Sequence, residues 1–181
     1  SLLNFYYDMR RVLMLSIDRN ILSAGSDAFL RMRSYGGVVQ ELHIIVFSLQ
    51  KIEKLEIAEN IFAYSTCSLF RFFYLFDAYK IACEILAKKN ASEWLITSQD
   101  AFTHPLGVWL RGKFIIALEV QIHTDFMSPY FRRESLLNFA RYHIYAWAIR
   151  RADVIRAVSE RVWNSLKSKS NTFKARIYVL P

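Results

Sequence analysis

The chain has 181 residues, 54% of them hydrophobic and 15% aromatic, with a formal net charge of +8. That length supports one domain with a proper core, and that apolar content excludes a disordered chain. No apolar run reaches the roughly 18 residues of a membrane span, and no signal peptide is recognisable.

Ser1–Asp8 precedes a Met9-Arg10-Arg11 that looks like a natural start. It reads as a lead-in, either an upstream read-through or a disordered segment. Arg11–Ser16, RVLMLS, predicts a buried strand, and Ile17–Gly25 a loop. Ser26-Asp27 predicts a helix start, with Ser26 as cap and Asp27 on the positive first turn. Gly36-Gly37 ends that helix, and Leu42–Ser48 is a second strand. Strand, helix and strand in this span make a βαβ unit. Gln50–Glu59 is charged and reads as a loop, and Asn60–Thr66 as a third strand.

From Ser68, apolar residues recur at Leu69, Phe72, Phe76, Tyr79, Cys83 and Leu86. These steps of three and four predict a long helix that ends at Lys88-Lys89-Asn90, with this aromatic stripe in the core. Trp94–Ser98 is the fourth strand, and Ala101–Arg111 a helix with Pro105 in its first turns. Phe114–Ile122 is the fifth strand. Ser135–Arg151 predicts a helix with Leu137, Ala140, Ile144 and Trp147 on its inner face. Val154–Val158 is the sixth strand, and Ser159 caps a helix at Glu160–Lys167. Ser168–Thr172 is a polar loop, and Arg176–Leu180 the seventh strand. This alternation predicts an α/β, Rossmann-like domain over residues 9–181. Its sheet is mostly parallel, of about seven strands, with helices on both faces.

Four polar clusters follow predicted strands, so they gather along one edge of the sheet, where such folds bind ligands. The first is Asp18-Arg19-Asn20 with the turn Ser23-Ala24-Gly25-Ser26. That turn runs into a helix N-terminus, which offers N–H groups to an anion, but it lacks GxGxxG. The second is Gln99-Asp100, with His104 one turn on. Asp100 either binds a hydroxyl or caps the next helix. The third is His123-Thr124-Asp125. His123 stands at the end of a buried strand, where it can act as hydrogen-bond partner, general base or ligand. A metal needs further ligands at HxH or HxxxH spacing, and there are none. His43, inside a strand, and His143, inside a helix, read as structural. The fourth is Arg156 with Ser159-Glu160-Arg161.

There is no GxSxG elbow, no P-loop, and no convincing Ser-His-Asp or Cys-His arrangement. Cys67 and Cys83 read as reduced, mostly buried thiols of a cytosolic protein. The basic surplus, crowded with arginines in the second half, reads either as a solvated basic surface or as suited to an anionic membrane surface or a phosphorylated ligand. Nucleic acid ranks lowest, because no nucleic-acid-binding motif is present.

MRRVLMLSIDRN at the start, SQDAF at Ser98–Phe102, the block from Leu118 to Leu166 with HTD and RRADVIRAVSE, and the final RIYVLP resemble the amino-terminal domain of family 4 glycosyltransferases of the GT-B fold. The resemblance covers Met9–Pro181, and Gln121–Leu166 is its most specific part. It implies one half of a retaining enzyme that moves a sugar from a nucleotide-sugar donor to a glycan, lipid-linked or cell-envelope polysaccharide precursor. No metal or other cofactor is implied, and the donor domain lies outside these residues, so the fragment alone is expected to be inactive. By position, His123 is the cleft histidine near the transferred sugar. Asp18, Gln99, Asp100, Thr124, Asp125, Ser159 and Glu160 are implied on the acceptor side. Gly25 and Ser26 match the donor-phosphate loop, although SAGS stands where many members have Gly-Gly. A cytoplasmic place, peripheral at the inner membrane face, is implied. The competing reading is a stand-alone Rossmann-like binding module without catalysis.

Overall fold

The computed structural model describes residues 11–52, 54–88, 90, 93–167 and 174–179. The lead-in at 1–8, the helix-ending Lys89, the polar loop at 168–172 and the last strand residue, Leu180, lie outside them. The strands are β1 (Arg11–Ser16), β2 (Glu41–Val46), β3 (Leu55–Ala58), β4 (Ile61–Ser65), β5 (Trp94–Ser98), β6 (Ala117–Ile122), β7 (Val154–Ala157) and β8 (Arg176–Val179). The helices are α1 (Asp27–Tyr35), α2 (Tyr74–Leu86), α3 (His104–Phe114), α4 (Phe131–Glu134), α5 (Leu136–Ile149) and α6 (Glu160–Lys167). One eight-stranded sheet runs in the order β3-β4-β2-β1-β5-β6-β7-β8. Each described pairing is parallel except β3 with β4.

Alternation along the strands feeds two cores. Leu13, Leu15, Ile96, Leu118 and Val120 point to the face covered by α2, α3, α5 and α6. Val12, Met14, Leu42 and Ile44 point to the other, under Ala28 and Met32 of α1. Each such side chain, fully buried, contributes about 1.5–3 kcal/mol. The expected α/β sheet with helices on both faces is therefore present. No described helix is long and apolar enough to cross a membrane.

Several elements differ from the sequence reading. The charged stretch read as a loop contains β3, which turns at Glu59-Asn60 into β4. An edge strand needs only one apolar face: Ile57 is buried while Glu56 stays exposed, and charge on an edge discourages pairing with other chains. Asn60 holds that turn, its amide donating to Gly36 O at 2.8 Å and Val39 O at 2.9 Å.

The long helix starts at Tyr74, not Ser68, after a 3-10 turn at Arg71–Phe73. Its core face is Ala78, Ala82, Ile85 and Leu86, and the expected inner stripe lies largely outside: Leu69 is 78%, Phe72 96% and Phe76 57% exposed. Both stripes have helical spacing. The alanines win because they let the helix axis lie close to the sheet.

α3 begins at His104 rather than Ala101, because residues 100–103 form a turn closed by Asp100. Phe114 is its last residue and Ile115 its left-handed cap (φ 56°), so β6 begins at Ala117, not Phe114. The inner face of α5 is Tyr145, Ala148 and Ile149, while Leu137 and Ala140 are exposed and Ile144 and Trp147 half-buried. Both cysteines are free and half-buried rather than mostly buried.

Candidate functional site

The topology places the four polar clusters side by side. β1, β5, β6 and β7 are consecutive and parallel, so the segments after them share one edge. Neighbouring strands lie about 4.8 Å apart. Asp18, Gly25 and Ser26 follow β1; Gln99 and Asp100 follow β5; His123, Thr124 and Asp125 follow β6; Ser159 and Glu160 follow β7.

An open cleft of about 730 Å³ lies at the β6–β7 end of this edge. His123, Thr124, Asp125 and Ser159 line it, joined by Tyr130, Arg133, Glu134 and Arg161. Asp125 is half-buried and tied to α6: Ser165 Oγ donates to its Oδ1 at 2.6 Å, and Arg161 Nε lies 3.4 Å from its Oδ2. Ser159 Oγ accepts from Val162 N–H at 3.3 Å and so caps α6, whose first residue is Glu160. Tyr130, Arg133 and Glu134 were not selected from the sequence. They reach the cleft because the segment after β6 turns at Ser128 into α4, whose residues line the same cleft as His123. The one signal for them was loop length, since long ordered loops at strand ends tend to carry function.

His123 stands open to the cleft, yet its pKa lies below the usual histidine value. Desolvation is the main cause, Arg156 adds to it, and Asp100 opposes. The imidazole is therefore neutral at pH 7, with one nitrogen donating and the other accepting.

Beneath the cleft lies a buried polar layer. Ser98 Oγ is 2.7 Å from both Thr103 Oγ1 and His104 Nδ1. The His104 ring meets Tyr145 edge-on at 5.3 Å, and Phe126 stacks on Tyr145 at 4.8 Å. Burial, with His123 adding a little, pushes the His104 pKa down to about 3. His104 Nε2 is buried without a hydrogen-bond partner. The sequence put His104 and His123 in unrelated segments, and strand order alone brings them together.

Asp100 closes the turn ahead of α3 and does not cap the helix: its Oδ1 accepts from Phe102 N–H at 3.0 Å, while Thr103 stands at the N-cap. It also lies near enough to Tyr145 to help burial, the larger cause, raise the phenol to about 12. In the β1 loop, Asp18 Oδ1 accepts from Asn20 N–H at 3.0 Å. Ser26 Oγ accepts from Phe29 N–H at 3.1 Å and donates to Asn20 O at 2.6 Å. Gly25 takes φ +85°, which favours glycine there. The N–H groups of Ser23 and Ser26 are both donated within this loop. His43 and the exposed His143 each lie against neighbouring rings. The former bonds Tyr64 OH at 3.1 Å, and the latter packs on Phe139 and Tyr142.

The other face of β6 was missed. Glu119 and Gln121 alternate with Leu118, Val120 and Ile122, and they point away from the main core. Thr97 Oγ1 donates to Glu119 Oε1 at 2.9 Å, and Gln121 Nε2 donates to the same oxygen at 3.0 Å. With Arg156 they line a cavity of about 360 Å³. The alternating Leu-Glu-Val-Gln-Ile was the available signal. No group of three ligating side chains among the described residues is placed to hold a metal ion.

No protein-family model and no curated protein matches the chain. Solved structures do. Sucrose-phosphate synthase from Thermosynechococcus elongatus superposes with a TM-score of 0.72 at 11% identity, over 95% of this chain and 48% of that one. An E. coli trehalose-6-phosphate protein bound with UDP-2-fluoro glucose gives 0.61 at 14% identity, over 94% and 48%. HepE from Anabaena, in complex with UDP and glucose, gives 0.58 at 13% identity, over 94% and 44%. The chain thus spans about half the length of these proteins. Identities this low speak to the fold, and the fold is the α/β, Rossmann-like architecture of one half of a GT-B glycosyltransferase.

Proposed function

We propose that the chain is the amino-terminal, acceptor-binding half of a retaining family 4 glycosyltransferase. In this reading it takes a sugar from a nucleotide-sugar donor and passes it to a glycan, lipid-linked or cell-envelope polysaccharide precursor. The observation that carries the reading is the His123 cleft, set at the strand ends of a sheet that superposes on halves of proteins solved with UDP and sugars. The neutral His123 ring positions or polarises a sugar hydroxyl as positive charge builds at the transferred carbon; it is not a nucleophile. Thr124, Asp125 and Ser159 form the acceptor wall beside it, Glu160 follows at the start of α6, and Gln99, Asp100 and Asp18 lie further along the edge. The Gly25-Ser26 turn approaches the donor phosphate. The donor wall belongs to a second domain that carries the nucleotide, and no metal or other cofactor takes part. Cytoplasmic placement follows from the nucleotide-sugar co-substrate, and the basic surplus suits the membrane face there.

The experiment is transfer by the chain together with whatever its gene encodes after Pro181, compared with the same protein carrying His123→Ala. Sugar transfer with retained anomeric configuration, lost in the variant, is the expected result. Inverted product, or a variant as active as the parent, refutes the reading. If the 181 residues alone only bind a ligand, and including whatever follows adds no transfer, the chain is a Rossmann-like binding module instead.

A further inference from the structure

The stripe that left the core forms an exposed apolar patch. Leu69 is 78%, Phe70 58%, Phe72 96%, Phe73 47% and Phe76 57% exposed, all within eight residues. The patch is continuous. Phe70 and Phe73 rings lie 6.5 Å apart. Phe72 shares one hollow with Phe76, Tyr79 and Trp109, and another with Arg19, Arg71 and Phe102. Trp109 and Phe102 are 50% and 40% exposed. Monomeric surfaces seldom carry so many large rings together without a partner for them.

Cations are interleaved with these rings. Lys80 Nζ lies 4.2 Å over Phe76, Lys113 Nζ 4.9 Å over Tyr79, and the Arg141 guanidinium 5.1 Å over Phe102. Arg19 donates to Tyr74 OH at 3.2 Å, and Arg71 is exposed between Phe70 and Phe72. Of the nearby acids, Asp77 is half-buried and accepts from Ser68 Oγ at 2.6 Å, and Glu84 stands one turn beyond Lys80. Protruding aromatics ringed by cations match an anionic lipid surface: the rings enter the interface and the cations meet the headgroups. A protein partner needs a rigid surface shaped to receive Phe72, whereas a fluid bilayer does not.

We propose that this patch docks the chain on an anionic lipid bilayer. The proposal deepens the membrane placement put forward above and gives it a surface on α2, its preceding turn, Phe102 and α3, with Arg141, from the second half, at its edge. Cys67–Phe73 follows β4, four strand positions from β6, or about 19 Å along the same sheet edge. Phe102 follows β5, directly beside β6. A lipid-held acceptor would enter at the patch and meet His123 at the other end of that edge.

The test is co-sedimentation of the 181-residue chain with vesicles of phosphatidylcholine alone and of phosphatidylcholine with phosphatidylglycerol. The parent should partition onto anionic vesicles at least about tenfold better than onto neutral ones. Phe72→Ser with Phe76→Ser should cut that partition about tenfold or more. Arg71→Glu with Lys80→Glu should abolish the anionic preference. All four side chains are exposed, so melting curves of both variants should overlay the parent's. A parent that stays in the supernatant, or variants that partition like it, overturns the proposal. So does a parent dimer that the aromatic variant abolishes without any vesicle binding, which assigns the patch to a second copy. His123→Ala should leave vesicle binding untouched, so loss of transfer and loss of docking fail separately.

Discussion

Replacing His123 with alanine removes an open ring from a strand end, so the fold should hold within about 0.5 kcal/mol. Under the proposed function, transfer by the chain with its donor domain should nevertheless fall by on the order of a hundredfold. Equal losses of activity and stability would mark the residue as structural. Its neighbour His104 makes the opposite prediction. The folded pKa is about 3 and the ordinary value 6.5, so between them the unfolded chain binds one proton more. Stability is then whole above about pH 6.5 and falls as the pH drops toward 3, at about 1.4 kcal/mol per pH unit from this residue. Denaturant unfolding across that range should show the slope. His104→Asn, which keeps a polar atom near Ser98 but cannot titrate, should flatten it. An unchanged slope in the variant would assign the acid sensitivity elsewhere.

At the scale of elements, α3 is held between its neighbours by two devices. Arg111 near its end donates to both carboxylate oxygens of Asp153, at 2.8 and 2.6 Å, and Leu118 N–H donates to the same carboxylate at 2.9 Å. One side chain thus ties α3, β6 and β7. Burial pulls the Asp153 pKa up, but these hydrogen bonds outweigh it and leave it lowered. That stability is present above the ordinary carboxylate range and is lost as pH falls through the lowered value. The pair is about one-third exposed, so Asp153→Ala should cost about 1–2 kcal/mol after solvent screening. A loss under 0.5 kcal/mol by chemical denaturation would refute the tie. The second device is Gly107: a Cβ there would sit 2.9 Å from Leu118 Cδ1 and 3.4 Å from Ser98 Cβ. Leu118 is fully buried and cannot yield. Overpacking of about 1–3 kcal/mol therefore exceeds the roughly 1 kcal/mol that alanine gains as a helix former. Gly107→Ala should destabilise by about 1 kcal/mol; a higher melting temperature would show that the helix can shift outward.

For the whole molecule, the cleft has one wall. Its lining comes from the segments after β6 and β7 and from α4 and α6, and it is open to solvent. The 181 residues alone should therefore turn over no nucleotide sugar, assayed by release of the nucleotide. Measurable turnover would mean that this wall suffices and that the two-domain reading is wrong. The patch at Leu69–Phe76 and the cleft share one sheet edge. The proposed docking and the proposed acceptor capture thus lie on one edge, and the variants above separate them.

The fold class was legible in the sequence because it depends on short-range pattern. Buried runs such as Arg11–Ser16 and Trp94–Ser98, separated by helical spacing, suffice to predict a parallel sheet. The positions of Asp18, Asp100, His123 and Ser159 were legible for the same reason, since each follows a strand. Which side of a helix faces the core was not. The Ala78–Ala82–Ile85 stripe and the Leu69–Phe72–Phe76 series have the same period, and only the close approach of α2 to the sheet separates them. Nor did the sequence reveal β3, whose charges suit an edge, or the nearness of His104 to His123, which depends on β5 lying beside β6. Local periodicity determined what the elements are. The tertiary structure alone decided which residues share a surface, because that depends on strand order and helix rotation, long-range contacts that leave no period in the chain.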